Sequence, residues 1–294
     1  FDTQQKQNQF NLELFDNAQV VFVADMYSSD YVGGAELTTD AIIDSSNLKC
    51  FRLKSQQLST DLIQRGTAKH WVFCNYAGMD QQLIPVVIAN LSYSIVEYDY
   101  KFCMYRSIEK HKNATGEACD CHNQMQGKLT SAFFHGSDNT FWMSQKQSER
   151  FMERFPFLRG GNNHVLSSVF TEDILDRFKT LRDEYSASKN DKWIVIGSTS
   201  WIKGAEVAES YCKENGLEYE VVWGLPYDEM LTKLAQSKGH VYMPLGGDTC
   251  PRAVIEAKLL GCELILNDNV QHKDEEWFSS DTEAIEEYLR GSTD

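Results

Sequence analysis

Two carboxylates, Asp248 and Glu256, stand with seven residues between them in the passage Pro-Leu-Gly-Gly-Asp-Thr-Cys-Pro-Arg-Ala-Val-Ile-Glu-Ala-Lys-Leu-Leu-Gly, residues 244–261. An apolar strand runs into a glycine turn. A helix then opens with Pro251 in its first turn and ends at Gly261, and a second apolar strand closes the unit. The helix N-terminus offers unpaired N–H groups and a partial positive charge, which suits a phosphate. Glu256 lies in the second turn, where its side chain slants back toward that end and can accept hydrogen bonds from sugar hydroxyls. A turn acid followed by a solvated helix acid is the competing explanation. The apolar neighbours Val254 and Ile255, in a helix between two strands that read as buried, weigh against it.

Other residues could serve the same chemistry. Lys203-Gly204 opens a helix after the strand 193–197, where a lysine opposes the helix dipole unless an anion is held there. Gly33-Gly34-Ala35-Glu36 follows the first strand, and glycines at a helix start let backbone N–H groups come close to a ligand. Tyr98 and Asp99 follow the strand 92–98 and read as a cleft rim. Neither a G-x-G-x-x-G nor a Walker A pattern is present, which removes the main support for dinucleotide and P-loop readings. Cys103, His111, Cys119 and Cys121 fall within nineteen residues, enough for a tetrahedral structural zinc. Their spacing matches no recognised ribbon or finger, so free thiols or a single disulfide is preferred, with zinc as the alternative.

These residues need a scaffold, and the pattern supplies one. Short β-branched runs at 19–25, 49–54, 71–76, 92–98, 140–144 and 164–168 alternate with helical stretches. The same alternation resumes with strands at 193–197, 220–224, 241–245 and 263–266, which implies parallel sheets with crossover helices. Helices are expected at 35–44, 59–65, 80–90, 128–135 and 145–155, then at 203–215, 227–236, 251–260 and 282–289. The organisation expected is a first domain over 1–170 with an irregular insertion at 108–127, a polar linker at 171–190, and a second domain over 191–294.

Composition narrows the partners. The formal charge of −15 over 294 residues argues against a nucleic-acid surface, since phosphate backbones are bound mainly by Lys and Arg. A small anion held by helix ends and a few cations stays compatible. No apolar run approaches the ~18 residues of a membrane span. The polar, glutamine-rich start, 1–9, is unlike a secretory leader, and eight cysteines in a chain this long are not a disulfide scaffold. A cytoplasmic location is expected.

The passage 244–266 resembles the nucleotide-binding signature of family-4 retaining glycosyltransferases of the GT-B fold. There a Glu, seven residues and a second Glu bracket a helix start, before an Ala-rich helix, a Gly and an apolar strand. Asp248 stands at the first Glu and Glu256 at the second, with Ala257 and Gly261 in register. The resemblance implies that Glu256 binds the ribose, Asp248 the transferred sugar, and the backbone of Thr249 and Cys250 the distal phosphate. Lys203-Gly204 matches the family's diphosphate-clasping Lys-Gly pair, while Ser198 stands where its Arg is expected. Gly33-Gly34 matches the start that faces the donor phosphate. The family's sugar-contacting His is missing, with Tyr98 and Asp99 as the nearest polar substitutes.

The fold implied is α/β: two Rossmann-like domains facing across a cleft, shorter than usual for GT-B. The function implied is transfer of a sugar from a nucleoside diphosphate donor, such as a UDP- or GDP-sugar, to a hydroxyl acceptor with retention. No cofactor or divalent metal is required, and Lys203, Asp248 and Glu256 carry the chemistry. A nucleotide-sugar-binding protein without catalysis is the alternative. A sugar-nucleotide epimerase would need an acid and base set that the sequence does not show.

Overall fold

The computed structural model describes residues 11–292, so the polar start 1–9 lies outside the described residues. Six parallel strands form the first sheet: β1 (Val20–Ala24), β2 (Cys50–Lys54), β3 (His70–Phe73), β4 (Ser92–Glu97), β5 (Asn139–Trp142) and β6 (Asn163–Val165), in the order β2-β1-β3-β4-β5-β6. Four more form the second: β7 (Trp193–Ile196), β8 (Tyr219–Val222), β9 (Gly239–Tyr242) and β10 (Glu263–Leu266), in the order β10-β9-β7-β8. Every strand expected from the sequence is present, within a few residues at each end. β1 is buried along its whole length, as a central parallel strand covered on both faces should be.

The period of two distributes its side chains between two cores. Val21 and Val23 join an aromatic-rich mass around Phe15, Trp71, Phe73, Tyr93 and Phe133. Val20, Phe22 and Ala24 face a second mass that continues through Phe170 and Phe178 to Ile194, Leu231 and Ile255 of the second sheet's layer. The two lobes therefore share apolar packing. No described helix is long and apolar enough to cross a membrane.

Two stretches differ from expectation. The passage read as a linker at 171–190 contains a fourteen-residue helix, Glu172–Tyr185, which buries Leu175, Phe178 and Leu181. It packs against the helices Tyr227–Gln236 and Arg252–Leu259. The passage read as irregular at 108–127 contains the helix Ile108–Thr115, a 3-10 turn at Cys121–Asn123 and the start of the helix Met125–His135. Ser107 caps the first of these by accepting from Lys110 N–H, and Gly116 ends it with a left-handed φ of 77°.

Topology dictates where a ligand can sit. In an open α/β sheet the crevice lies at the carboxyl ends of the strands, where the winding reverses. That point falls between β1 and β3 in the first sheet and between β7 and β9 in the second.

Candidate active site

Past β9 the chain reaches Asp248, whose backbone is fixed on both sides: its N–H donates to Asn269 O at 2.8 Å and its carbonyl accepts from Gln271 N–H at 3.0 Å. The carboxylate Oδ2 accepts from Lys203 Nζ at 2.9 Å and from the Tyr242 hydroxyl. Burial alone would raise this carboxyl, but the Lys203 ammonium and the Tyr242 hydroxyl outweigh it and hold it below the ordinary value. Asp248 is thus ionised at neutral pH.

Lys203 arrives from the end of β7 on a 3-10 turn, Trp201–Lys203. Gly204 follows with φ 62°, and a Cβ there would lie 1.9 Å from Met243 O. Only glycine accepts both the conformation and the approach. The fit presses the β7 loop against the continuation of β9, and a Leu245 N–H to Ile202 O bond at 2.9 Å fastens the two.

These loops form one wall of a cavity of ≈ 220 Å³ between the lobes. Gly34, Ala35 and Thr38 reach it from the start of the helix Gly34–Ser45, and Asn75, Tyr98, Asp99 and Arg106 from beyond β3 and β4. Gly247 to Arg252 supply the facing side, so the N-termini of the helices Gly34–Ser45 and Arg252–Leu259 both open on the space. Three hydrogen bonds close the lobes around it. Thr249 Oγ1 donates to Tyr98 O at 2.7 Å, Gly247 N–H to Glu109 Oε2 at 3.2 Å, and Ser168 Oγ to Cys250 O at 3.0 Å.

Gly34, Tyr98, Asp99, Lys203, Asp248, Thr249 and Cys250, all anticipated from the sequence, meet in this one cavity. Gly33, Ser198, Gly204 and Glu256 do not line it. Gly33 caps its helix, and a Cβ there would strike Glu36 Oε2. Ser198 Oγ accepts from Ser200 N–H at 3.1 Å. The Tyr98 hydroxyl bonds Thr39 Oγ1 at 2.7 Å, so its backbone rather than its phenol serves the rim. Glu256, only 4% exposed, is held by Arg252 Nε at 2.9 Å and the Tyr227 hydroxyl at 2.7 Å. Arg252 sits one helical turn earlier on the same face and takes the carboxylate.

Arg252, Arg106 and Asn75 were not anticipated. The dipole argument that singles out Lys203 applies equally to Arg252, a cation in the first turn of its helix. Arg106 has a left-handed φ of 55°, with Nε donating to Asp99 Oδ2 at 2.6 Å and Nη2 to Asn75 Oδ1 at 2.9 Å. It lies in the loop between β4 and the helix Ile108–Thr115, just before the stretch read as irregular, and no motif marks it.

Beneath Asp99 lies Glu97, wholly buried, whose Oε1 accepts from Lys101 Nζ at 3.1 Å and Asp99 N–H at 3.0 Å. Burial raises its carboxyl from 4.5 to about 8 against the pull of Lys101. Between those values the folded state keeps a proton that the unfolded chain has released, so Glu97 makes stability fall as pH rises across the window. Glu97→Gln is expected to flatten that decline. Urea midpoints at the two ends of the window measure it, and equal slopes in variant and parent would disprove the assignment.

Cys103, His111, Cys119 and Cys121 also come together, away from the cavity, with their ligand atoms all within 4.8 Å of one another. No disulfide joins them: all eight cysteines are free.

No family model matches this sequence, and no curated protein matches it. Solved structures do. Anabaena HepE in complex with UDP-glucose matches with a TM-score of 0.54 at 12% identity, over 93% of this chain and 89% of that one. The UDP-forming α,α-trehalose-phosphate synthase of Burkholderia xenovorans gives 0.54 at 7% identity, over 94% and 91%. AviGT4, a glycosyltransferase involved in avilamycin A biosynthesis, gives 0.50 at 11% identity, over 93% and 88%. The chain has the fold of these glycosyltransferases: α/β, with two Rossmann-like halves facing across a cleft, the GT-B architecture.

Proposed function

We propose that this protein is a retaining glycosyltransferase that moves a sugar from a nucleoside diphosphate donor to a hydroxyl acceptor. The observation that carries the reading is the Lys203–Asp248 pair, set where the second sheet's winding reverses and beside the amino end of the helix Arg252–Leu259. The donor belongs to the lobe that begins with the helix Glu172–Tyr185, and the acceptor to the lobe before it.

In this reading the diphosphate rests on Lys203 and on the N–H groups at Thr249 and Cys250, while Asp248 accepts from a hydroxyl of the transferred sugar. Glu256 stands behind the cavity wall with Oε1 held by Arg252 and the Tyr227 hydroxyl, so in this reading it supports the helix that carries the phosphate-binding end rather than the ribose directly. Ser198 leaves one cation short of the family pattern, and Arg106 and Arg252, both on the cavity wall, make up the deficit.

Departure of the diphosphate builds negative charge, which preorganised cations and helix ends stabilise most in a cleft shielded from water. A divalent metal is not needed for that neutralisation. The leaving phosphate oxygen takes the acceptor's proton, so no separate nucleophile or base is required. Eight unpaired thiols support a reducing, cytoplasmic setting.

The engagement of Glu256 by Arg252 and Tyr227 favours a second reading, a nucleotide-sugar binder without turnover. One experiment separates the two. Thermal unfolding is followed with uridine, guanosine and adenosine diphosphates and their sugars, and free nucleoside diphosphate is assayed in parallel. A ligand at a hundredfold excess over its Kd adds about 2.7 kcal/mol of stability. Stabilisation with nucleotide release supports the transferase, and stabilisation without release supports the binder. Absence of any stabilisation across the panel would discard both.

A further inference from the structure

We propose that Cys103, His111, Cys119 and Cys121 bind a structural zinc ion. His111 Nδ1 lies 3.7 Å from Cys103 Sγ and 3.3 Å from Cys121 Sγ. In a tetrahedral centre with Zn–S about 2.3 Å and Zn–N about 2.0 Å, sulfur and nitrogen ligands stand about 3.5 Å apart. Two edges already match, and all four ligand atoms lie within 4.8 Å of one another, so shifts of about an ångström bring them onto such a polyhedron.

Several local features build it. Cys103 sits in a turn closed by its own N–H to Tyr100 O and by Arg106 N–H to Cys103 O, both 2.8 Å. The helix Ile108–Thr115 buries no residue of its own, yet it is capped at both ends and presents His111 to the thiols. Its left-handed stop at Gly116 turns the chain back, which returns Cys119 and Cys121 to Cys103. Cys121 then opens a 3-10 turn that lies against the helix Met125–His135 at Gly127, where a Cβ would come within 2.2 Å of Cys121 O. Glycine at 127 is what lets that knuckle close.

The donor set fits zinc by its chemistry. Three soft sulfurs and one imidazole in a tetrahedron select Zn²⁺ among the common divalent ions. Four protein ligands fill the coordination shell, so the ion is structural rather than catalytic. A disulfide would join only two of the three sulfurs and leave the histidine without purpose.

The ion has a job in the fold. Arg106, three residues past Cys103, and Glu109, two before His111, both reach functional neighbours. Arg106 lines the cavity, and Glu109 pairs with Arg150 at 2.8 Å and accepts from Gly247 N–H across the lobes. A zinc clasp holds the segment that carries them, in place of the apolar face this helix lacks.

Metal analysis of the full chain, purified under reducing conditions, tests the site whether or not the cleft transfers sugar. About one zinc per chain is expected, falling to under about a tenth in His111→Ala and Cys119→Ser and unchanged in Cys50→Ser, which lies elsewhere. Should the ligand variants fail to fold, the parent protein is titrated with a mercurial while a chromophoric chelator reports released metal. Cobalt exchange adds a second signature, tetrahedral absorption with thiolate charge transfer. Stoichiometric release and that spectrum support the site. A parent chain that stays metal-free when supplied with zinc, or a mass deficit of two hydrogens from a disulfide among these cysteines, overturns it, as does full zinc retention in folded His111→Ala.

Discussion

Lys203→Ala is expected to lower turnover by roughly 10²–10³-fold, the range seen when one preorganised charge-stabilising group is removed, with a much smaller change in donor affinity. The asymmetry follows from the ground state. Lys203 is 40% exposed and already paired with Asp248, so it has limited attraction to spare for an incoming diphosphate. As the sugar–oxygen bond breaks, charge accumulates on the leaving group, and the ammonium's hold on it strengthens. A group whose interaction grows mainly there changes kcat more than binding. Nucleoside diphosphate release gives the rate and calorimetry the affinity. Lys203→Ala also leaves Asp248 without its cation, so the double variant with Asp248→Asn is needed to separate lost attraction from new repulsion. Unchanged turnover would remove Lys203 from the leaving group, and partial rescue by Lys203→Arg would strengthen its place there.

Arg252→Ala should cost about 3–5 kcal/mol of folding stability, the penalty for stranding one half of a buried ion pair. Its guanidinium pairs with Glu256, donates through Nη1 to Val169 O at 2.6 Å, and lies 3.8 Å from the centre of the Phe170 ring. These contacts bind the helix Arg252–Leu259 to the strand exit at Val169 and Phe170, which joins the lobes. Urea unfolding with an unchanged slope would report the loss directly. Arg252→Met paired with Glu256→Gln should recover much of it, because no lone carboxylate then remains in the interior. A deficit below about 1 kcal/mol in the single variant would show that Glu256 finds another partner or takes up a proton.

The sheets were legible because parallel strands buried on both faces leave continuous apolar runs, of which β1 is the plainest. The helix Glu172–Tyr185 escaped notice because its charges dominate the composition. Its stripe at Leu175, Phe178 and Leu181 has helical spacing and was diluted rather than absent. The helix Ile108–Thr115 could not be found by periodicity, since it fully buries no residue and only Ile108 leans on the core, and only the cap residues Ser107 and Gly116 mark its ends. Lys203 stood out because a cation at a helix start opposes the dipole, and Asp248 through its seven-residue spacing from Glu256, since an acid in a glycine turn is by itself ordinary. The inward turn of Glu256 was not, because it depends on Tyr227, 29 residues away. Arg106 likewise reaches its place through a left-handed backbone and a contact with Asn75, 31 residues back.

The bond between Lys203 and Asp248 also makes the cleft choosy. A bare anion such as inorganic phosphate nearing the ammonium meets a carboxylate 2.9 Å from it, so it gains one attraction and suffers one repulsion at almost the same range. Under the proposed function, an ester of diphosphate with a sugar would escape that stalemate, its hydroxyls donating to Asp248 while its oxygens take over the lysine. Discrimination would then rest on a ligand having both signs of hydrogen-bonding capacity at the right separation, and simple salts in the medium would be turned away without any gate having to move.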